Sequence, residues 1–489
     1  MLVLPIFLPL FFMVVLIFTR KWLAFQQNFS LLATLALTFF SVNLLIDVHQ
    51  NGIAVIQVGS WMVPYGITLV ADLLSAIMLV TVAFVSVIIM IYSPGFIEKN
   101  QQSAGYYPLV FGLLMGVNGA FITGDIFNLY VWYEVMLTSS FVLIALGGSA
   151  GQLRGSIKYV TINFVASIFF VAAIGILYGL TGTLNMADLA HKLRAGAEIP
   201  YLNGALMLFF IAFSIKSALF PFFFWLPASY HTPPVAITAL FAGTLTKVGI
   251  YTMFRFYSLF IVNDLEFWKI FIFILAGLTM TIGVLMAASQ FDIRKILSFH
   301  IISQVGYMAM GLAIFTIGGI AGAIYFTVHN MLSKTNAFLA GGLVYQRMGS
   351  YDLKNLGGLY KASPLLALLF FIPAMSLAGI PPLPGFFGKF FLIKGGFESG
   401  DYFITSVAIL VGLFTLFSMI KIWNEAYWKK EPQEAVQGKV SRRAIAATSL
   451  LAFAVIMLGV FAGPVSEITV EAAKQVVFPE FYINAVLGK

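Results

Sequence analysis

Four lysines, Lys216, Lys247, Lys334 and Lys389, fall inside long apolar stretches of this sequence, and Glu134 falls well inside another. An ammonium group near a bilayer midplane costs roughly 2.5–3.5 kcal/mol even on the lenient insertion scale, so a chain that keeps several of them uses them. The chemistry on offer is proton exchange. A carboxylate buried alone takes up a proton, a lysine partner keeps it ionised, and a change of charge nearby alters the amine's proton affinity. Glu134, in FNLYVWYEVMLTSSFVLI, is expected to pair with Lys216. The plainer explanations are snorkelling of each lysine to the interface and an ion pair that only clamps helices.

Two stretches interrupt the helical pattern near these charges. Pro221, Pro227, Pro233 and Pro234 lie between Lys216 and Lys247, and Lys389 closes IPPLPGFFGKF, where Gly379, Pro381, Pro382, Pro384 and Gly385 break the ladder. Broken backbone survives at membrane depth only where protein or a water-filled cavity satisfies the freed groups. A pair of such breaks in separate halves is the sequence mark of inverted repeats with sites at the breaks. A second polar group comprises His329, Asn330, Lys334, Thr335 and Asn336 in one segment and Ser298, His300, Ser303 and Gln304 in the segment before it. It reads as a hydrated file in which His329 relays protons and His300 is an accessory. Haem ligation by these two histidines lacks any attachment motif. Asp72 and Asp125 open apolar segments, as caps or channel-mouth groups. His49, His191 and His231 fall in loops.

The elements that must hold these residues follow from composition. Of 489 residues 61% are apolar and 9% charged, and mean hydropathy is +0.97, which describes an all-α polytopic membrane protein. At about 20 residues per span the apolar runs number about fourteen. They lie near 2–19, 29–48, 69–92, 107–123, 126–147, 157–180, 201–227, 233–258, 266–288, 297–316, 319–346, 364–397, 402–428 and 443–463. Spans 4–8 and 9–13 are expected to form two inverted five-helix repeats, with spans seven and twelve broken. The divisions are then an N-terminal segment 1–106, repeats at 107–258 and 266–428, and a last portion 443–489. The first run, Leu2 to Phe18, lacks a basic leader and reads as a retained span. Asn51 to Gly66 reads as an extracytoplasmic hairpin, and the tail from Pro464 as an interfacial helix.

The formal charge of +8 comes from basic residues scattered through short loops and not from a nucleic-acid-binding domain. Of 27 lysines and arginines, sixteen fall in loops after odd-numbered spans and seven, Arg255 among them, on the even side; the rest are the four buried lysines. That bias puts the odd loops in the cytoplasm and both termini outside. No cysteine is present, which excludes disulfides, Fe–S clusters and thiolate metal sites. No phosphate-binding loop, dinucleotide fingerprint or HExxH motif occurs, and no cofactor, metal site or enzymatic centre is expected.

Five blocks carry a resemblance: LYVWYEVMLTSSFVLIALGG, the stretch from Ser214 to Tyr251, QFDIRKILSFHIISQVGYMAMG, HNMLSKTNAFLAGG and LAGIPPLPGFFGKFFLIKGG. Across all fourteen spans the chain resembles the antiporter-like superfamily shared by Mrp-type multisubunit cation/proton antiporters and the proton-pumping membrane subunits of respiratory NADH:quinone oxidoreductase. In its ITALFAGTLTKVGIY run and its length it is similar to the D-subunit family of the former. The resemblance implies a Glu134–Lys216 pair, onward transfer by Lys247, a central axis through His329 and Lys334, and Lys389 as the terminal group. It implies small membrane-subunit partners, including a larger homologous A-type subunit. It also implies exchange of protons against Na+ in a bacterial or archaeal plasma membrane. The redox-complex relatives imply an alternative, a proton-pumping subunit of an NADH:quinone oxidoreductase or membrane-bound hydrogenase. Two departures stand out: lysine at 389 where some relatives have glutamate, and Gln304 where relatives have a second histidine in span ten.

Overall fold

The computed structural model describes residues 1–196, 199–430 and 438–488. Helices α1 (Leu4–Phe18) and α2 (Leu23–Asn51) lead into a hairpin in which β1 (Ala54–Gln57) pairs antiparallel with β2 (Thr68–Ala71), Val55 opposite Val70. The hairpin expected over Asn51 to Gly66 is a small two-stranded sheet whose second strand lies beyond Gly66, at the start of the expected third span. Next come α3 (Leu73–Tyr92), a turn of helix α4 (Lys99–Gln101), α5 (Tyr107–Ile122), α6 (Ile126–Ala145) and α7 (Ala150–Thr181). They are followed by the short polar-faced α8 (Met186–Arg194), α9 (Leu202–Ser217), α10 (Trp225–Ser229) and α11 (Val235–Phe260). The second half runs through α12 (Leu265–Ser289), α13 (Ile293–Ile314), α14 (Ile317–Met348), α15 (Leu359–Ala362), α16 (Pro364–Ala378), α17 (Pro384–Glu398) and α18 (Tyr402–Trp423). The chain closes with α19 (Arg442–Val460), α20 (Ala462–Val477) and α21 (Glu480–Leu487).

Local chemistry sets where these helices start. Asp72 caps α3 by accepting from Ser75 N at 2.9 Å, Asp125 caps α6 through Asn128 N at 2.7 Å, and Asp292 caps α13 through Lys295 N at 3.1 Å. Ser149 and Gln152 form a capping box on α7. Each satisfies amide donors that hydrocarbon would leave bare. Among the described residues ten helices are long and apolar enough to cross a bilayer, and α1, α9 and α16 are shorter apolar helices. The 32-residue α14 is long enough too, but its polar run from His329 to Asn336 lowers its hydropathy.

Burial sorts the helices. The most apolar windows of α11 and α13 are 100% buried within the chain, against 39% for α7, α12, α18 and α19. Helices α11, α13 and α14 are thus the middle of the bundle, and the others present apolar faces outward, where lipid is as good a solvent as protein. The two expected breaks are present. Helix α9 stops at Ser217 with Ala218 left-handed (φ 61°), and α16 stops at Ala378 with Gly379 left-handed (φ 93°). A cis bond follows each, Phe220–Pro221 and Pro381–Pro382.

The tail from Pro464 lies in two helices, α20 and α21, that pack onto the bundle, α20 against α14 and α3, and α21 against α8.

Candidate functional site

Lys216 lies in the last turn of α9 and is 5% exposed; Glu134, on α6, is half-buried. Helix α7 packs between those two helices. Its Ser167 donates to Glu134 Oε1, and Lys216 Nζ reaches Ser167 Oγ at 3.4 Å. The direct Glu134–Lys216 ion pair expected from sequence is therefore replaced by a bridge through one hydroxyl, because α7 places a side chain between them. Lys216 Nζ also stands 5.3 Å from the centre of the Tyr133 ring, within cation–π reach.

Lys247, in the middle of α11, is wholly buried and donates to the Ala242 carbonyl of its own helix at 2.5 Å. Lys334, on α14, is wholly buried, and its Nζ has no hydrogen-bond partner among the described residues. Around it the unsatisfied atoms accumulate: both ring nitrogens of His300, Ser303 Oγ, Gln304 Nε2, His329 Nε2 and Asn330 Oδ1. Asn330 Nδ2 donates to Gln304 Oε1 at 2.8 Å and so ties α14 to α13. His329 Nδ1 lies 3.0 Å from Ser333 Oγ and 3.3 Å from Ser376 Oγ. Buried polar atoms without protein partners are ordinarily bridged by water, and a file of water links side chains too far apart to touch.

Lys389, on α17, donates to the Leu377 and Ala378 carbonyls at 3.0 Å each, the terminal acceptors of α16. The break therefore holds this ammonium at the negative end of a helix dipole. Like Lys216, it stands over a tyrosine, 5.5 Å from the Tyr307 ring centre. Gly385 is required here, because a Cβ at that position would collide with the Ser376 carbonyl and sit 2.9 Å from His329 Nε2.

Asp125 stays in the turn before α6. Burial pushes its carboxyl pKa up, against the lowering effect of the Asn128 and Phe127 amides. Asp72 is more than a cap: its Oδ2 accepts from Arg255 Nη2 at 2.7 Å, and both residues are buried. Arg255, counted from sequence among the loop cations, is thus an internal residue of α11, because a carboxylate 183 positions away compensates its charge. In the turn after α10, burial lowers the His231 pKa; Lys295 and Arg294 add to that, while the Pro227 carbonyl and Asp292 oppose it. Among the described residues no three His, Asp or Glu side chains group to hold a metal ion.

Residues 123–415 match the family described as NADH:quinone oxidoreductase/Mrp antiporter, TM, and residues 56–107 match NADH-Ubiquinone oxidoreductase (complex I), chain 5 N-terminus. The chain belongs to the NADH:quinone oxidoreductase/Mrp antiporter membrane family. It is 47% identical over 487 residues to the D-type subunit of the Na(+)/H(+) antiporter of Alkalihalophilus pseudofirmus, covering 99% of each chain. To its namesake in Bacillus subtilis it is 38% identical over 486 residues, again covering 99% of each. A chain of the solved Mrp complex from Dietzia sp. superposes with a TM-score of 0.92 at 30% identity, over 100% of this chain and 99% of that one. A chain of the archaeal membrane-bound sulfane sulfur reductase superposes at 0.93 with 26% identity, over 99% of each.

For this family member, sequence reading found the charged residues and missed what links them. Ser167 and Ser376 are hydroxyls in apolar helices, a pattern too common to single out. Tyr133 and Tyr307 read as ordinary core aromatics. Arg255 carried a signal, an arginine inside the apolar run 233–258, but only packing reveals its partner.

Proposed function

We propose that this chain is the proton-translocating subunit of a multisubunit Na+/H+ antiporter in a bacterial or archaeal plasma membrane. The observation that carries the proposal is the set of buried lysines, Lys216, Lys247, Lys334 and Lys389, none of them within ion-pair distance of a carboxylate among the described residues. Protons pass from Lys216 to Lys247, Lys334 and Lys389, with His329 and water of the central file between the last two. A charge change at Glu134 reaches Lys216 Nζ through Ser167 Oγ and gates the first transfer. Partners are other small membrane subunits and a larger homologous one, and Na+ crosses in the assembled complex.

Fourteen spans and two inverted repeats, 107–258 and 266–428, complete this reading. Their support is recurrence. Asp125 bridges to Asn185 in the first half and Asp292 to Asp352 in the second, with the same spacing along the chain. Each half also sets a lysine at a broken helix over a tyrosine. The bias of lysine and arginine places both termini outside.

The test uses the whole complex in membrane vesicles. Lys216→Ala and Glu134→Ala should abolish cation-driven proton movement while the complex still copurifies; undiminished exchange would overturn the proposal. The likeness to an archaeal respiratory complex supports a second reading, a proton-pumping subunit of a redox complex. Copurification of flavin or Fe–S proteins with this chain would favour it.

A further inference from the structure

The Asp72–Arg255 pair takes no part in the lysine route, yet it occupies one end of the helix that carries Lys247. Tyr251 lies one turn beyond Lys247 on α11 and Arg255 two turns beyond, on the same face. Arg255 Nη2 donates to Asp72 Oδ2 at 2.7 Å and to Tyr251 Oη at 3.2 Å. The other carboxylate oxygen accepts from Ser75 N at 2.9 Å and Ser75 Oγ at 2.8 Å. Tyr251 Oη donates to the Phe121 carbonyl at 2.5 Å and lies 2.9 Å from Ser75 Oγ. Both carboxylate oxygens are thus engaged. Beyond the pair, the Tyr482 ring stands 4.8 Å from the guanidinium. The tail that carries this ring is tied down by Leu73 N donating to Gln475 Oε1 at 2.9 Å and by Ser258 Oγ donating to the Val476 carbonyl.

We infer that Asp72 and Arg255, closed over by Tyr482 of α21, form a proton barrier that blocks the end of α11 and directs a proton at Lys247 toward α14. The inference rests on the lysine route proposed above, and this end of α11 is extracytoplasmic in the proposed orientation. The physical argument has two parts. A guanidinium stays charged at any biological pH, so Arg255 neither takes up nor passes on a proton, and both oxygens of its Asp72 partner are already engaged. A clamp, by contrast, gains little from ions, because a buried pair can often be exchanged for apolar residues without loss of stability. Asp72, held by the first turn of α3, compensates the arginine's desolvation without leaving a free acceptor for the proton.

The purified complex in liposomes containing a pH dye, with choline as the only added monovalent cation and the membrane potential clamped, should hold an imposed pH gradient. Asp72→Asn and Arg255→Met should dissipate it about tenfold faster, the factor produced by about 1.4 kcal/mol of lost barrier. Tyr482→Leu leaves the pair in place and is the second variant should the others not assemble; it should leak faster than the wild type. Wild-type gradient retention in Tyr482→Leu and in every pair variant that assembles would overturn the inference, as would slowed exchange without leak. Lys216→Ala should lose exchange and not leak; if it keeps exchange, the lysine route fails whatever the leak rates show.

Discussion

Lys216 and Glu134 are bridged by a single hydroxyl, so the coupling proposed between them depends on Ser167. A hydrogen bond to a charged group contributes about 1.5–3 kcal/mol. Ser167→Ala should therefore slow exchange by about tenfold or more, while Ser167→Thr, which keeps a hydroxyl, should retain much of it. Initial rates of vesicle acidification per unit of assembled complex read this directly; a Ser167→Ala rate equal to wild type would mean that the two charges couple without the bridge. Lys334 invites the opposite comparison. Its ammonium has no protein partner among the described residues, and an unsatisfied buried polar group costs about 1–3 kcal/mol. Lys334→Met, similar in volume, should raise the thermal midpoint of the purified complex while eliminating exchange. A lowered midpoint together with intact exchange would show that this lysine is structural.

At the level of elements, the breaks in α9/α10 and α16/α17 do the positioning. The second exposes the α16 terminal carbonyls to Lys389, and Gly385 lets α17 come close to Ser376 and His329. The turn after α10 carries a titratable group of its own, His231, whose pKa is lowered by burial, with Lys295 and Arg294 adding to it. A histidine depressed in the folded state binds its proton more weakly there than in the unfolded chain. As pH falls through the ordinary value of about 6.5, the unfolded chain takes up the proton first, so stability contributed above that pH is lost below it. The thermal midpoint of the complex should therefore fall on acidification from about pH 7 to about pH 5.5, and His231→Gln should make that fall shallower. An unchanged slope would assign the pH dependence elsewhere.

At the scale of the whole molecule, the absence of cysteine makes topology simple to test. Asn263 and Asn355 are exposed, Asn263 in the loop between α11 and α12 and Asn355 after α14. With odd-numbered loops in the cytoplasm, Asn263→Cys should react with a membrane-impermeant maleimide in intact cells, and Asn355→Cys only after permeabilisation. The reverse pattern would invert the proposed orientation and put the Asp72–Arg255 end of α11 on the cytoplasmic side. The same scale shows why α11, α13 and α14 carry so many polar groups. They are shielded from lipid by the surrounding helices, and only there can water or protein satisfy such groups.

By itself the sequence determined that the chain spans a membrane many times as helices, because no soluble fold tolerates this hydropathy. It also determined where two helices break and which charges fall inside apolar helices. Those readings rest on local chemistry: apolar run length, proline and glycine, and the penalty on an isolated ammonium. Tertiary structure alone decided that Ser167 stands between Glu134 and Lys216, that Lys389 meets the end of α16, that Arg255 belongs to Asp72, and that the tail folds back over α3 and α11. The reason is physical: the partner of a buried charge is chosen by helix packing across large separations in sequence, and a hydroxyl or aromatic ring in an apolar helix has no local feature that marks it for the task.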